Sequence, residues 1–401
     1  MMMLTYQYRV LPTKRQHRAL ERILEDQRQL FNAALEERID AYRKQGITRS
    51  CFDQFRALTE WRQSDPDATS VAVALQRWTL RNVHEAYQGF FRRVRAGGKP
   101  GFPRFRGKGR FTSFGFAQFS GIGLADHWIR FKGVPGPLRF HLHRPLPTNA
   151  PIKSCVFRRD TKGWSVGFVV ARNDPSPRSG EHAVGVDLGI STLAAFSDGG
   201  FIPNLKAARR GERRVRVLQR ALLRKIRDSH GHRKARLELG RCHARLVCRR
   251  QNHLHQASAR LVREYDLIVL EKLNVKRLAR SALAKDIHDA SWARFISMLR
   301  YKAACAGTRL VEVDPRNTSQ ECSGCGIKVP KKLSDRWHAC SYCGLTIDRD
   351  LNAARNILNR GGVAPGLPNV AGSCGMRAGG NLDETVWACQ SSPTGKLRHY
   401  P

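Results

Sequence analysis

Acid is scarce in this chain. Its 401 residues carry 33 Asp and Glu against 71 Lys and Arg, a formal net charge of +38. Such an excess repels itself unless a polyanion neutralises it, so nucleic acid is the leading partner and a basic membrane-surface protein the competitor. No apolar run approaches the roughly 20 residues that span a bilayer. The opening MMMLTYQYRV also lacks the apolar core of a signal peptide. Together these absences predict a soluble cytosolic protein with no membrane partner. No internal repeat is evident, and the length allows two or three domains with cores of their own.

Cysteine is not scarce. There are 11, and in a cytosolic protein that number argues against a disulfide framework. Cys51, Cys155, Cys242, Cys248, Cys305, Cys374 and Cys389 are scattered and read as packed or free thiols. The other four form two C-x-x-C knuckles, Cys322–Cys325 and Cys340–Cys343, separated by 14 residues. Each knuckle lets two thiolates converge on one ion, and two knuckles complete a tetrahedral zinc site. Gly324, Gly326 and Gly344 allow the tight turns. Iron–sulfur ligation fits the count, but paired knuckles favour zinc. Four thiolates leave no open position for substrate, so this zinc is expected to be structural.

The pattern along the chain predicts an α+β multidomain protein. Leu4 to Val10 alternates as a half-buried strand, and Thr13 and Gln16 fit a capping box that opens an amphipathic helix. A second helix is expected over residues 71–94, then a Gly- and Pro-broken basic loop, RRVRAGGKPGFPRFRGKGRF. Its Phe and Arg residues suit backbone contacts with base stacking, or anchor the loop to a core. Residues 111–170 read as strands, with a hairpin around Asp160 to Gly163 and Trp164, Val166, Phe168 and Val170 on one face. The strand at Leu4 is expected to join this barrel-like sheet, which makes the first helices an insertion. Residues 171–182 read as a linker. Residues 206–250 hold 17 Lys or Arg and 3 acids. There Leu218, Leu222 and Ile226, then Leu237, Leu246 and Val247, mark two amphipathic helices broken at residues 228–232. Phosphate contact is preferred to a merely solvated face for this stretch. A strand at 265–275, a helix at 291–306 and a strand at 308–313 follow. The tail is rich in Gly, Pro and Ser and is expected to be disordered.

Two acids stand out. Asp187 ends the apolar run AVGVD and Glu271 ends LIVLE. An acid inside an apolar strand costs several kcal/mol unless something compensates it, and two such acids on adjacent central strands suggest a shared cation. Asp350, opening a helix from Leu351 to Leu358, supplies a third carboxylate. Hard oxygen ligands suit Mg²⁺ or Mn²⁺, and three carboxylates holding two ions make a phosphodiesterase. Asp348 is the ambiguous neighbour, as an N-cap or a partner of Arg349.

VGVDLGISTLAAFSDG, LIVLEKLNV, the paired knuckles and IDRDLNAARNI, in that order, resemble the RuvC-type nuclease core of TnpB proteins. FFRRVRAGGKPGFPRFRGKGRFTSF resembles their N-terminal half, so the likeness covers residues 4–360. It implies a transposon-encoded, RNA-guided DNA endonuclease related to type V CRISPR effectors, with guide RNA and double-stranded target DNA as partners, in a bacterial or archaeal cytosol near the nucleoid. It implies a wedge β-barrel (1–12 and 100–178) with a helical recognition insertion (13–99). An RNase H-like RuvC α/β domain (179–360) with an inserted zinc ribbon (316–347) and the tail (361–401) would follow. By motif, Asp187, Glu271 and Asp350 would be catalytic, with Asp348, Arg349 and Asn352 in support. Arg92, Arg93, Arg95, Lys99, Arg104, Arg106, Lys108, Arg110, Arg213, Arg214, Arg220, Arg224 and Lys225 are the candidate nucleic-acid contacts. A monomer is favoured over a dimer.

Three other readings compete. An RNA-guided repressor with little nuclease activity would not need the intact acid triad. Guide-independent RNase H-like transposases usually place the glutamate last, whereas here it lies in the middle. A ribosomal-type zinc-ribbon RNA binder would not need acids buried at two strand ends.

Overall fold

A computed structural model describes residues 1–362, apart from 148, 149, 180, 282, 333 and 334 and the side chain of Lys276. The expected tail at 361–401 lies almost wholly outside the described residues, as do Cys374 and Cys389. The chain divides into two units, 1–173 and from 174 onward, inside the stretch read as a linker. Among the described residues no helix is long and apolar enough to cross a membrane.

The first unit opens with β1 (Met2–Val10), followed by α1 (Lys14–Gln45), α2 (Cys51–Ser64) and α3 (Val73–Arg95). Then come β2 (Ser113–Phe116), β3 (Ile122–Ala125), β4 (Trp128–Phe131), β5 (Leu138–His141), β6 (Ile152–Asp160) and β7 (Gly163–Arg172). These strands form one sheet in the order β2-β6-β7-β1-β5-β4-β3, so the three helices are an insertion between β1 and β2. β1 runs antiparallel to β7 from Met2 opposite Arg172 to Val10 opposite Trp164. Period-two alternation buries Trp164, Val166, Phe168 and Val170 with Tyr8, Phe114, Phe140 and Phe157 in one core.

The sheet is curled but not a closed barrel. Among the described residues its edge strands β2 and β3 are not paired to each other. Leu20, Ile23 and Leu24 of α1 and Leu75 of α3 fill the same core, so helices cover what a strand pair would have sealed. The capping box of Thr13 and Gln16 opens α1, and Gly46, at φ +66°, ends it. Helix α2 has no counterpart in the sequence reading. It buries only Cys51, Gln54 and Leu58, too few to mark a period, although Ser50 and Asp53 cap it reciprocally.

The second unit contains β8 (Ala183–Asp187), β9 (Thr192–Phe196), β10 (Phe201–Pro203), α4 (Ala207–Leu223), α5 (His230–Glu264) and β11 (Leu267–Glu271). It continues with α6 (Val275–Leu278), α7 (Ala284–Ala290), α8 (Trp292–Ala306), β12 (Arg309–Val313), β13 (Trp337–Ala339), β14 (Thr346–Asp348) and α9 (Arg349–Arg360). The main sheet has the order β10-β9-β8-β11-β12. β11 is parallel to β8 and β12, and β9 is antiparallel to β8 and β10.

Alternation gives this sheet two apolar faces. Val184, Val186, Ile268 and Leu270 meet Leu254 and Leu261 of α5 and Phe295 and Leu299 of α8. The opposite face, with Ala183, Leu267 and Val269, meets Ile357 and Leu358 of α9. At Gly185 a Cβ would lie 2.0 Å from the carbonyl oxygen of Ala354, so α9 rests directly on the β8 backbone. Helices α4 and α5 form the expected basic pair with a narrower seam than their apolar residues suggest. Leu218 and Cys242 are buried and Gly211 abuts Leu246, whereas Ile226, Leu237 and Val247 are exposed.

Candidate active site

The same alternation that seats α9 aims two acids at it. Asp187 follows Ala183 and Gly185 along one face of β8, and Glu271 follows Leu267 and Val269 along the same face of β11. Both stand at the carboxyl ends of adjacent parallel strands. The chain leaves β8 toward β9 on one side, while β12 lies on the other side of β11. This is the switch point at which open α/β sheets bind ligands. Asp350 lies in the first turn of α9, one turn before Ala354 on the stripe that packs on the sheet. A Cβ on Gly189, just past Asp187, would come within 3.9 Å of the Asp350 Oδ2.

Electrostatics ties the three acids together. Burial first, then the charges of Glu271 and Asp350, push the Asp187 carboxyl well above the usual carboxylate range, against the pull of Arg349. Burial also raises Glu271, opposed by a hydrogen bond from Thr318 and by Arg360. The Thr318 hydroxyl lies 2.5 Å from Glu271 Oε1, and the Arg349 guanidinium lies 3.4 Å from Asp350 Oδ1. Asp348 is the N-cap of α9, its Oδ1 accepting from the backbone N–H of Asp350 (2.8 Å) and Leu351 (3.2 Å). Oxygen donors at one end of the sheet, with one carboxyl pushed up by its neighbours' charges, could hold a hard divalent cation, whose charge would relieve the repulsion.

The four knuckle cysteines form a second site on the excursion between β12 and α9. Their sulfur atoms all lie within 4.8 Å of one another, with Cys322 and Cys343 3.5 Å apart and Cys325 and Cys340 3.6 Å apart. The two knuckles repeat one geometry. The Gly326 N–H bonds to the Cys322 carbonyl at 2.8 Å, and the Gly344 N–H to the Cys340 carbonyl at 2.9 Å. The crowded thiols shift in opposite directions: backbone N–H groups of Cys343 and Tyr342 pull Cys340 down to about 6, against burial, whereas Cys325 and Cys343 are pushed up, so the set would lose its remaining protons only as a cation binds. Asn352 reaches the first knuckle. It is fully buried, its Nδ2 donating to the Glu321 carbonyl (2.7 Å) and its Oδ1 accepting from the Ser323 N–H (2.9 Å). Those two residues flank Cys322.

Comparison with known proteins places most of the chain. A protein of Streptomyces pristinaespiralis, provisionally named an RNA-guided DNA endonuclease, is 34% identical over 363 residues, covering 89% of each chain. Residues 168–282 match a family model described as "Probable transposase" of the IS605 OrfB type, and 1–46 match its helix-turn-helix domain. The chain belongs to the TnpB/IS605 family. Residues 292–357 match a model described as "Cas12f1-like, TNB domain", a stretch that includes both cysteine knuckles. TnpB-like protein L79 of Acanthamoeba polyphaga mimivirus is 33% identical over 138 residues, 32% of this chain and 26% of that protein. The fold resembles the Cas12f1 of a Cas12f1-sgRNA-target DNA complex, with a TM-score of 0.55 at 14% identity over 86% of this chain and 83% of that one.

The basic candidates of this TnpB/IS605 chain fall into two sets. Arg92, Arg93, Arg95, Lys99, Arg104, Arg106, Lys108 and Arg110 are all exposed in the first unit, but two of them brace the loop. Arg93 donates to the carbonyls of Pro100 (2.6 Å) and Gly101 (2.8 Å). The Arg106 guanidinium lies over the Phe31 ring, and its backbone bonds to Asn32. The loop aromatics also divide. Phe111 packs on Phe31, whereas Phe91, Phe102 and Phe105 remain about half exposed, with Phe102 edge-on to Tyr87 and Phe90. In the second unit Arg213, Arg214, Arg220, Arg224 and Lys225 are exposed on and just after α4, Arg214 pairing with Glu238 of α5. Thr318, Asn356 and Arg360 escaped the sequence reading. The two on α9 left one trace, a polar i, i+4, i+8 stripe at Asn352, Asn356 and Arg360.

Proposed function

We propose that this chain is a transposon-encoded, RNA-guided DNA endonuclease that cuts by RuvC-type, two-metal phosphodiester hydrolysis. The observation that carries the reading is the convergence of Asp187, Glu271 and Asp350, from β8, β11 and α9, on one face at the carboxyl ends of the two central strands. Repulsion and burial at Asp187 support the reading of a site that would hold added positive charge. The carboxylates would hold Mg²⁺ or Mn²⁺, which supplies activation of water and stabilisation of the leaving oxygen. Arg349, against Asp350, offsets part of the negative charge and would support the site. The curled sheet would serve as a wedge, its helical insertion as a recognition element and the second unit as an RNase H-like nuclease. The thiolate site would hold structural zinc.

The exposed basic residues of both units would hold guide RNA and its heteroduplex by the backbone, leaving sequence choice to base pairing. The test is to sequence the RNA that co-purifies from the native locus, then challenge the complex with a matched plasmid library and Mg²⁺. One discrete structured RNA that directs cutting beside a short motif is the expected result. Heterogeneous RNA with unguided nicking would reduce the reading to a basic nuclease, and guided binding without cutting would make it a repressor.

A further inference from the structure

Helix α9 has two working faces. One lies on the sheet and carries Asp350. The other presents Asn352, Asn356 and Arg360 to the segment that leaves β12 and enters the first cysteine knuckle. The Asn356 Nδ2 donates to the carbonyls of Thr318 (2.8 Å) and Glu321 (2.7 Å). Arg360 donates to the carbonyls of Asp314 (2.8 Å) and Arg316 (2.6 Å) and to the Glu321 carboxylate (2.6 Å). With the Asn352 contacts to Glu321 and Ser323, every second or third residue from 314 to 323 is bonded to α9. Thr318 sits in the middle of this clamped segment and is 3% exposed. Its hydroxyl has one proton and two acceptors in reach, Glu271 Oε1 at 2.5 Å and the Pro315 carbonyl at 3.1 Å. The shorter contact, to a carboxylate, is the stronger.

We propose that Thr318 is a positioning residue for Glu271, held in place by the α9 clamp, so that the zinc knuckle and the carboxylate site form one mechanical unit. The inference rests on reading Glu271 as a metal-holding acid. A glutamate at a strand end has three side-chain torsions to settle. A buried hydroxyl on one oxygen fixes the carboxylate plane that would face a cation, the role outer hydrogen-bond partners play around metal ligands. Asn356 and Arg360 set where that hydroxyl stands, and Asn352 ties the same backbone to Cys322.

The experiment uses the full-length protein loaded with its RNA. Mn²⁺ affinity would be read by electron paramagnetic resonance, together with zinc content, melting temperature and cleavage. Thr318→Val keeps the shape and removes the hydroxyl. It is expected to weaken Mn²⁺ binding by roughly 10–100-fold and to slow cleavage, with zinc content and RNA affinity unchanged. Thr318→Ser should restore both losses. If the valine variant melts early, Thr318→Ala, which adds no buried methyl beside the carboxylate, carries the same expectation. Wild-type Mn²⁺ binding in the valine or alanine variant, or a serine variant as weak as valine, would overturn the proposal. Asp187→Asn run alongside separates the two failures: if it still binds Mn²⁺ and cuts normally, the carboxylate-site reading itself falls.

Discussion

At Asp187 three effects oppose ionisation: burial, the Glu271 charge and the Asp350 charge. The folded carboxyl therefore titrates above its unfolded value of about 3.9. Between those two pKa values the native state holds a proton that the unfolded chain has released. Stability of the cation-free protein then falls as pH rises through that window and stays lower above it. Asp187→Asn removes the penalty, so it should raise the melting temperature of the cation-free protein at neutral pH while abolishing cleavage and sparing RNA binding. Scanning fluorimetry across pH, with and without Mg²⁺, checks both halves, and an unchanged or lower melting temperature would refute the electrostatic account. Gly185 makes a second prediction at this scale. An alanine there would meet the Ala354 carbonyl at 2.0 Å, so Gly185→Ala should cost about 1–3 kcal/mol or more and displace the helix that carries Asp350. Denaturant unfolding would measure that loss.

Elements are held where they matter by a few polar contacts. Helix α4 has no side-chain cap of its own. Buried Asp289, at the end of α7, accepts from the N–H groups of Ala208 (2.8 Å) and Arg209 (3.2 Å) instead, a cap supplied from another helix. Asp289→Ala should cost about 0.5–2 kcal/mol, read as faster hydrogen exchange across α4. The cysteine-knuckle segment is the other dependent element. Its hairpin, β13 and β14, is three residues a side, too short to persist alone, so a zinc bound by the four thiolates is expected to hold it. Cys322→Ser should lose the zinc and most of the cleavage, since α9 loses what Asn352 grips. Full zinc content in that variant would contradict a four-thiolate site. The knuckles and the Thr13 cap were legible because spacing alone encodes them. Helix α2 was not, because its few buried positions make no period, and neither was the Asn352–Asn356 clamp, because a buried asparagine looks like any exposed one until its partner carbonyls are known.

For the whole molecule, a charge of +38 predicts that binding to the proposed guide RNA weakens steeply with salt. The structure sorts the basic loop into braces and free heads. Replacing Arg92, Arg95, Lys99 and Arg104 together by alanine should weaken RNA binding and flatten its dependence on salt without shifting the melting temperature. Arg93→Ala should loosen the loop itself, visible as proteolysis near residue 100. Filter binding across a salt series distinguishes a lost phosphate contact, which changes the slope, from a lost brace, which need not.

Local rules alone determined much of this protein: the alternating strands, the capped helix, the acids at the ends of two apolar runs and the paired cysteine knuckles. Each is written in a few adjacent residues. The tertiary structure decided what depends on distant segments meeting. Helices cover the edge of the first sheet, so it curls without closing. Alternation in β8 and β11 counts from a shared register, which turns Asp187 and Glu271 to the face that α9 occupies. Asn352, read as support for the acids, bonds the backbone on either side of Cys322 because its position on the helix points it there. Which carbonyl a polar side chain reaches is set by packing, and packing is a property of the whole unit.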